Sequence, residues 1–358
     1  MLWLSPWMRT FARVRAEALR RRGVDVLLVT TDSYHHESDA ARDYELVLDP
    51  RFRRAGTWPA HFAAWRRIRQ YRPDIVIAEG VTDPRWMLLA GSAPRVQCVH
   101  DDAPKDATEE GEASRLPHRL ALSDRWGARS TATITYSDYV AGAVATRRDV
   151  RGTPIHVVPL TSDLDAGLVP PLVGPGRRRD FVMIGRLNQY KNVDVVLQAW
   201  RRHVAGGGWR GDNLVFIGEG EAMPSTLPKH TQWRRGKYRY RDVVATLASA
   251  KGTIAHCRRA SQSGVQVLSL QLGVMPIVST AGGLPEYQPP GCPPVGVDDV
   301  AGLAAAFDDL ADPDTATTRG AAAARHYAQR FAVDGATDSL LNVLTEVLAT
   351  HASAAHRR

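Results

Sequence analysis

The sequence has few cysteines and no long apolar run, and each absence excludes a class of protein. Its three cysteines, Cys98, Cys257 and Cys292, are widely spaced and odd in number, which argues against a disulfide framework and against a zinc cluster. No apolar stretch approaches the roughly 20 residues that cross a bilayer. Residues 2–4 are too short for the apolar core of a signal peptide, and Arg9 follows them closely. We therefore expect a soluble, cytoplasmic protein that binds no metal.

Motifs of cofactor-dependent and nucleotide-hydrolysing enzymes are also missing. The first predicted strand is followed by residues 5–9, which contain no glycine, so the dinucleotide-binding fingerprint is absent there. The other candidate, the GEG sequence at residues 218–220, is followed by Met223 and Pro224, and the proline prevents the helix that the fingerprint requires. No Walker motif, nucleophile elbow or HExxH sequence occurs. We therefore expect neither a nicotinamide nor a flavin cofactor.

The net charge of +8 comes almost wholly from arginine, because only five of the 46 basic residues are lysine. The arginines lie in helical stretches such as residues 13–22 and 66–72, without interleaved aromatic residues, so a nucleic-acid interface is not indicated. We interpret this charge as a solvated surface in preference to a site for an anionic partner. Peripheral contact with a membrane surface and binding of a phosphorylated substrate both stay open.

Strand-like and helix-like segments alternate along both halves of the chain. Short apolar runs, typical of strands buried on both faces, predict strands at residues 2–5, 24–30, 74–78, 95–99, 132–136, 155–158, 181–184, 213–217, 253–256 and 276–279. This alternation is typical of doubly wound α/β folds, which bind ligands at the carboxyl ends of their strands. We predict two Rossmann-like domains, residues 1–167 and 181–333, joined by a linker at residues 168–180 that is rich in proline, glycine and arginine. A last helix is predicted within residues 334–358.

Three segments of the second half carry candidate binding residues at predicted strand ends. The loop at residues 185–191 contains Arg186 and Lys191, two cations that can neutralise the charge on a diphosphate leaving group. A helix that begins near Gly264 offers free backbone N–H groups to an anion. The glycine pair at residues 282–283 allows a ligand to approach the backbone closely. Each feature alone also fits a surface cation, an ordinary helix start or a tight turn.

Taken in order, these segments resemble the C-terminal domain of the retaining glycosyltransferases of family 4 (glycosyl transferases group 1), which have the GT-B fold. The stretches GRLNQYK, FIGEGE and MPIVSTAGGLPE match the motifs of that family in sequence and order. The resemblance implies an α/β GT-B fold of two doubly wound, Rossmann-like domains that face a central cleft. Residues 1–167 would then bind the acceptor and residues 181–333 the nucleotide-sugar donor, and the helix of residues 334–358 would cross back to the N-terminal domain.

The resemblance also implies roles for particular residues. Arg186 and Lys191 would hold the donor diphosphate and stabilise it as the leaving group. His100, at the end of a predicted strand, would lie beside the donor sugar and the acceptor hydroxyl. The residues implied in donor binding are Gly185, Gly218, Glu219, Ser261, Gly264, Ser269, Gly282, Gly283 and Glu286.

Two serines depart from the family pattern. Ser261 and Ser269 stand where the family has the glutamates of an E-x7-E motif, which contact hydroxyl groups of the sugar and of the ribose. A serine does not form the charge-assisted hydrogen bond that a glutamate forms. Three interpretations follow. The donor lacks some of those hydroxyls, as a dTDP-sugar does; or Gln262, Gln266 or Gln271 substitutes; or the protein is a non-catalytic, glycosyltransferase-like subunit.

The first loop is a second departure, because it carries Trp7 and Arg9 where the family often has a pair of glycines near the phosphates. Trp7 and Arg9 are therefore candidates for acceptor binding, with packing of Trp7 at the domain interface as the alternative. An acidic stretch, residues 101–112, directly follows His100. We interpret it as a solvated loop in which Asp101 is the candidate acceptor contact.

The sequence thus predicts a transferase that moves a sugar from a nucleoside-diphosphate sugar to a hydroxyl of a small-molecule or glycan acceptor. The resemblance implies retention of configuration, no metal or other cofactor, and the departing phosphate oxygen as the base. One alternative is a non-catalytic homologue that binds a nucleotide or a partner protein. Another is a nucleotide-sugar epimerase, for which the sequence offers no convincing acid–base set. The sugar, the nucleotide base, the acceptor and the oligomeric state do not follow from the sequence.

Overall fold

The strands form two sheets in which all neighbouring strands are parallel. The computed structural model describes residues 1–32, 40–49, 54–103 and 117–355. Within them the chain folds into two units. The first contains the described residues up to 159 together with those from 333 on, and the second contains residues 160–332. The predicted α/β class, with two doubly wound parts, is confirmed.

The first unit contains a seven-stranded sheet. Its strands are β1 Leu2–Ser5, β2 Leu27–Thr31, β3 Glu45–Leu48, β4 Val76–Glu79, β5 Arg95–Val99, β6 Ala132–Thr135 and β7 Ile155–Val157. Their order across the sheet is β3-β2-β1-β4-β5-β6-β7. The strands β1, β2, β4 and β6 are buried along their whole length, as expected of parallel strands that are covered on both faces. Leu2 and Leu4 pack in one core cluster with Val76 and Ala78.

Helices follow most of these strands. They are α1 Arg9–Arg21, α2 Trp58–Tyr71, α3 Pro84–Leu89, α4 Pro117–Gly127 and α5 Asp138–Val144. Helix α1 buries Phe11 and Leu19 against the sheet side of the unit. Helix α5 begins where Ser137 Oγ accepts a hydrogen bond from the Val140 N–H group at 3.2 Å. Ser137 is therefore the N-cap residue of α5.

The second unit contains a five-stranded sheet. Its strands are β8 Arg179–Ile184, β9 Leu214–Gly218, β10 Thr231–Arg235, β11 Ala250–Ala255 and β12 Pro276–Val278. Their order is β10-β9-β8-β11-β12. Its helices are α6 Val193–Ala205, α7 Tyr240–Ala248, α8 Gly264–Gln271, α9 Val300–Ala311 and α10 Pro313–Arg330. Val182 and Ile184 of β8 pack with Val215 and Ile217 of β9 in the main core cluster.

The last helix, α11, spans Val333–Ala355 and belongs to the first unit. It packs against α1. Arg22, just after α1, donates to Asp338 Oδ1 at 2.7 Å and to Asp334 Oδ1 at 3.1 Å. Leu340 and Leu344 are buried on the apolar side of the helix. Of the helices in the described ranges, none is both long enough and apolar enough to span a bilayer.

The structure contains two strands that the apolar pattern does not predict. Strand β3 has the sequence ELVL and begins with a charged residue, Glu45. Strand β10 has the sequence TQWRR and is only partly buried. Both lie at a sheet edge. The arginines of β10 are exposed there, whereas Glu45 of β3 is buried and paired with Arg9 and Arg13. Two predicted strand starts differ by three residues, since the strand expected at residues 24–30 begins at Leu27 and the one expected at residue 253 begins at Ala250.

The segment that leads into the second sheet is held by that sheet. Leu164 and Val173 are buried in the main core cluster of the second unit. The guanidinium group of Arg178 donates to Ala250 O at 2.8 Å and to Gly273 O at 2.9 Å. The stretch predicted as a linker, residues 168–180, is therefore attached to β11 and to the turn after α8 along part of its length.

Candidate functional site

The order of strands in the second sheet marks a place where ligands bind. The chain continues from β8 to β9 on one side and from β11 to β12 on the other. The loops that follow β8 and β11, residues 185–192 and 256–263, therefore flank the crevice at which doubly wound sheets bind ligands. The predicted site residues Arg186, Lys191 and Ser261 lie on these two loops.

Close backbone contact explains the glycines at the ends of β8 and β9. Gly185 and Gly218 have φ angles of +116° and +128°, a region that other residues rarely adopt. A Cβ atom on Gly218 would lie 2.2 Å from Gly185 O, and one on Gly220 would lie 2.2 Å from Leu187 O. The Leu187 N–H group donates to Glu219 O at 2.7 Å. The GEG sequence therefore positions the loop that carries the two predicted cations.

Lys191 is a nearly buried cation in this loop. Only 8% of the residue is exposed, and its Nζ lies 5.5 Å from the centroid of the Tyr190 ring. Within the described ranges, its ammonium group forms no hydrogen bond and no ion pair. The next residue, Asn192, has a φ of +56° and donates from Nδ2 to Val297 O at 2.6 Å, which holds the end of the loop. An ammonium group without an acceptor at this edge of the sheet is available to an anionic ligand.

The loop after β11 leads into helix α8. Ser261 is buried, whereas Gly264, at the start of the helix, is exposed. Ser263 caps the helix, because its Oγ accepts a hydrogen bond from the Gln266 N–H group at 3.3 Å. A Cβ atom on Gly264 would meet no atom within 4 Å. Packing therefore does not require a glycine at residue 264.

Ser269 faces the sheet from within α8. Its Oγ accepts a hydrogen bond from Thr253 Oγ1 at 2.7 Å and donates to Val265 O at 2.6 Å. The residue is 2% exposed. The hydroxyl of Ser269 thus joins α8 to β11, and it is set apart from the exposed loop ends.

The loop after β12 contributes the remaining predicted donor-binding residues. Gly282 has a φ of +54°, and Gly283 precedes a short 3₁₀ turn that contains the exposed Glu286. Gln266 Nε2 donates to Leu284 O at 3.0 Å and so ties this turn to α8. The structure therefore gathers the predicted donor-binding residues at one edge of the second sheet, at the carboxyl ends of β8, β9, β11 and β12, with Ser269 as the exception.

The first sheet has an equivalent crevice between β1 and β4. The chain leaves β1 toward β2 on one side and β4 toward β5 on the other. Trp7, in the loop after β1, is 50% exposed. Its Cδ1 would lie 3.4 Å from a Cβ atom on Gly80, the residue after β4. The indole of Trp7 therefore covers the backbone of Gly80 at this edge.

Glu79, the last residue of β4, is a buried carboxylate that the sequence analysis does not single out. It is 1% exposed. It accepts hydrogen bonds from Trp3 Nε1 at 3.3 Å, Ser5 Oγ at 2.8 Å, His100 Nε2 at 2.9 Å and Tyr136 OH at 3.2 Å. Because a carboxylate only accepts, His100 Nε2 carries a proton in this bond. The predicted catalytic histidine is therefore oriented by Glu79.

The surroundings of Glu79 keep it ionised. Burial raises the pKa of its carboxyl group. Three neighbours lower it by more than burial raises it: His100 through its hydrogen bond and charge, Ser5 through its hydrogen bond, and Arg15 through its charge. The pKa of Glu79 therefore lies below its ordinary value. The guanidinium carbon of Arg15, a residue 1% exposed, lies 5.3 Å from the centroid of the Tyr136 ring. Burial raises the pKa of Tyr136 well above its ordinary value. At neutral pH, Glu79 is therefore charged and Tyr136 neutral.

Arg9 is held by carboxylates of its own unit. Its Nη1 lies 3.0 Å from Asp32 Oδ1, and its Nη2 lies 3.1 Å from Glu45 Oε2. Glu45 is buried and also accepts a hydrogen bond from Arg13 Nε at 2.8 Å. Arg9 thus connects α1 to β3, and its role in acceptor binding stays a prediction.

Asp101 follows His100 and is partly exposed. Its carbonyl oxygen accepts a hydrogen bond from Arg147 Nη1 at 3.0 Å. Residues 104–112 of the acidic stretch lie outside the described residues. In the described part of the chain, no group of three or more histidine, cysteine, aspartate or glutamate side chains is placed to hold a metal ion.

Two protein-family models match the sequence, one in each half. Glycosyltransferase Family 4 matches residues 8–166, and Glycosyl transferases group 1 matches residues 178–312. No curated protein matches the sequence.

Solved structures share the fold over nearly the whole chain. A sucrose-phosphate synthase from Thermosynechococcus elongatus is similar with a TM-score of 0.71 at 15% identity, over 98% of this chain and 99% of that one. A glycosyltransferase from Rickettsia africae has a TM-score of 0.65 at 12% identity, over 97% and 98% of the two chains. An α,α-trehalose-phosphate synthase (UDP-forming) from Burkholderia vietnamiensis has a TM-score of 0.64 at 14% identity, over 96% and 99%.

The sequence matches and the fold agree with each other. The two family models follow one another along the chain, one on each half, and the similar structures extend over both units. The protein is therefore a glycosyltransferase with the GT-B fold.

Proposed function

We propose that the protein transfers a sugar from a nucleoside-diphosphate sugar to an acceptor hydroxyl, with retention of configuration and without a metal ion. The second unit binds the donor through the loops at the carboxyl ends of β8, β9, β11 and β12. The first unit supplies His100 and the acceptor contacts around Trp7 and Asp101. Structures similar in fold include one with UDP and one with glucose-6-phosphate, which is consistent with substrates of this kind.

The observation that carries this proposal is the ammonium group of Lys191, which forms no hydrogen bond and no ion pair within the described ranges although only 8% of the residue is exposed. The turn at Asn192 holds the backbone of the loop that carries this cation, which reduces the reorganisation needed when charge develops on a leaving diphosphate. Arg186, exposed on the same loop, adds a second cation and a planar fork that suits phosphate oxygens. Together the two side chains provide the positive charge that a divalent metal provides in other transferases.

His100 acts on the sugar, and Glu79 acts through His100. Glu79 already accepts four hydrogen bonds and has a lowered pKa, so it is a poor base for an incoming hydroxyl. Its function in this proposal is to fix the His100 ring and the proton on Nε2. Glu79 is thus a positioning residue, and His100 is the catalytic one.

The configuration at the anomeric carbon is retained if the acceptor attacks the same face of the sugar from which the leaving group departs. The bond between the anomeric carbon and the donor phosphate oxygen breaks, and a bond between that carbon and the acceptor oxygen forms on the same face. The acceptor proton passes to the departing phosphate oxygen, which serves as the base. This route needs no pair of carboxylates of the kind that glycosidases use.

The test combines nucleotide binding with turnover. We expect one of UDP, GDP, ADP and dTDP to raise the melting temperature of the protein, because a ligand at about a hundred times its Kd stabilises the folded state by about 2.7 kcal/mol. In Lys191→Ala and Arg186→Ala, nucleotide affinity and the rate of hydrolysis of the matching sugar nucleotide should each fall at least about tenfold, equivalent to about 1.4 kcal/mol.

The matched control is Lys229→Ala, which removes an exposed lysine that precedes β10 and therefore lies at the opposite end of the sheet. Its nucleotide binding and turnover should equal those of the wild type. The proposal is wrong if Lys191→Ala and Arg186→Ala both behave like this control.

A further inference from the structure

Helix α2 presents three large aromatic side chains to solvent. Trp58 is 66% exposed, Phe62 is 63% exposed and Trp65 is 37% exposed. We call these three residues the aromatic stripe. Apolar side chains of this size are usually buried in a domain core or an interface, so the aromatic stripe indicates a contact surface.

The three residues form one continuous face. Their spacing of four and three residues places them on the same side of a helix. The rings of Phe62 and Trp65 stack with centroids 5.8 Å apart and an angle of 23° between their planes. The inner face of the same helix is formed by Ala64 and Ile68, which pack in the core of the unit. The aromatic stripe is therefore an outward face of a helix that is already anchored.

Positive charge continues this face. Arg69 follows the aromatic stripe by one helical turn, and its guanidinium carbon lies 5.1 Å from the centroid of the Trp65 ring. Arg66 is exposed beside it. Neither Arg66 nor Arg69 forms an ion pair with a residue in the described ranges. The sequence of α2, WPAHFAAWRRIRQY, contains no acidic residue.

This arrangement corrects one reading of the sequence. From the sequence, the arginines of residues 66–72 are interpreted as a solvated surface without interleaved aromatic residues. In the structure, Arg69 extends the line of Trp58, Phe62 and Trp65 on the same helix face. The charge and the aromatic surface thus belong together.

We propose that this face of α2 binds the surface of a lipid bilayer that carries anionic headgroups. Tryptophan and phenylalanine side chains insert at the boundary between headgroups and acyl chains, and arginines beside them pair with anionic lipids. At 14 residues, α2 is too short to span a bilayer and lies in the plane of the interface. The net charge of +8 favours the same partner. This inference does not rest on the proposed transferase activity.

The test measures binding of the full chain to lipid vesicles by co-sedimentation. One set of vesicles is phosphatidylcholine alone, and in the other about a third of the lipid is phosphatidylglycerol. We expect binding to the anionic vesicles that is at least about tenfold stronger than to the neutral ones. Trp58→Ser with Phe62→Ser should weaken this binding at least about tenfold, because the inserted area is lost.

Charge reversal tests the second part of the surface. Arg66→Glu with Arg69→Glu should also weaken binding to anionic vesicles at least about tenfold. The matched control is Arg201→Glu with Arg202→Glu, two exposed arginines on helix α6 of the other unit. This control carries the same change in net charge, so it should weaken binding much less than Arg66→Glu with Arg69→Glu does.

Two further results would overturn the proposal. One is equal binding to neutral and anionic vesicles, or no binding to either. The other is a dimer that forms at higher protein concentration and disappears in Trp58→Ser with Phe62→Ser, while no variant changes vesicle binding. The aromatic stripe would then join two copies of the chain. Because all the substituted side chains are exposed, unchanged circular dichroism is expected for each variant.

Discussion

The Nε2–H group of His100 donates to the buried carboxylate of Glu79 at 2.9 Å. The two residues end neighbouring strands, β5 and β4. The ring of His100 also lies 4.4 Å from that of Tyr136 and 5.7 Å from that of Phe11, measured between centroids. His100 is therefore held from two directions before any substrate binds. Such a fixed ring is what a histidine beside a reacting centre requires.

Glu79→Gln keeps the shape of the side chain but removes its charge. An amide can place its NH₂ group toward His100 Nε2, so the ring loses its acceptor or changes its tautomer. We expect kcat to fall about tenfold or more, equivalent to at least about 1.4 kcal/mol. Affinity for the nucleoside diphosphate should not change, because the donor loops belong to the second unit. Steady-state kinetics measures the fall in kcat, and nucleotide titration measures whether the diphosphate affinity is unchanged.

A purely structural role for Glu79 would give a different result. The melting temperature would fall, kcat and diphosphate affinity would decline together, and His100→Ala in the Glu79→Gln background would cost as much as it does alone. We expect the opposite in that double variant, since the two residues act as one unit.

The free energy of unfolding should decrease at acid pH in a way that depends on Glu45 and Glu79. Burial raises the pKa of the Glu45 carboxyl, but hydrogen bonds from Arg13, the Arg42 N–H group and Arg9 outweigh burial and lower that pKa. A carboxyl whose pKa is lowered in the folded state stabilises that state above its ordinary value near 4.5 and loses this effect as the pH falls through the lowered value.

Glu45→Gln is therefore expected to lower the free energy of unfolding at neutral pH and to flatten its decrease below about pH 4.5. Urea unfolding at a series of pH values measures both effects. Glu286→Gln, which changes an exposed carboxylate, is the comparison. An identical pH dependence in the wild type and Glu45→Gln would show that Glu45 is not the titrating group.

Gly218→Ala should damage the donor loop through the backbone. A Cβ atom at residue 218 would lie 2.2 Å from Gly185 O, and its φ of +128° is strained for alanine. We expect the free energy of unfolding to fall by more than about 1 kcal/mol, together with diphosphate affinity. Gly142→Ala, in the exposed middle of α5 where a Cβ meets no atom, should instead be neutral or stabilising by up to about 1 kcal/mol. Chemical unfolding and nucleotide titration of both variants check the contrast.

Ser269→Ala removes the side-chain hydrogen bond between α8 and β11. Thr253 Oγ1 loses its acceptor, so we expect the free energy of unfolding to fall by about 1 kcal/mol. Nucleotide affinity should stay within the error of the measurement, because the hydroxyl of Ser269 is already used inside the protein. A loss of affinity for one nucleoside diphosphate at unchanged stability would instead place Ser269 in contact with the donor.

The central strands of both sheets could be predicted from the sequence, whereas two of the edge strands could not. Strand β1 matches its prediction at both ends, since a strand covered on both faces leaves an apolar run, here Leu2 to Leu4. Strand β10 carries exposed arginines because it has only one neighbour, and strand β3 carries the buried Glu45 because Arg9 and Arg13 pair with it. Their recognition depends on pairing with β2 and β9, which a local pattern does not contain.

In the candidate site, too, residues close together in sequence could be predicted, whereas residues brought together by the fold could not. Arg186 and Lys191 lie within a single loop, so a short motif was sufficient to predict them together. Glu79 obtains its partners from three other strand ends, up to 76 residues away in the chain. A single carboxylate at the end of an apolar strand was the available signal. The partial family pattern at Ser261 and Ser269 did not reveal that Ser269 serves helix packing.

Helix α11 has a consequence for the order of folding during synthesis. The second unit is continuous in sequence, from residue 160 to residue 332, and can complete its core as soon as that stretch leaves the ribosome. The first unit instead waits for the chain from Val333 on, because α11 covers α1 and pairs with Arg22. Domains usually finish in the order in which they are synthesised. In this protein the half that is made first is completed last.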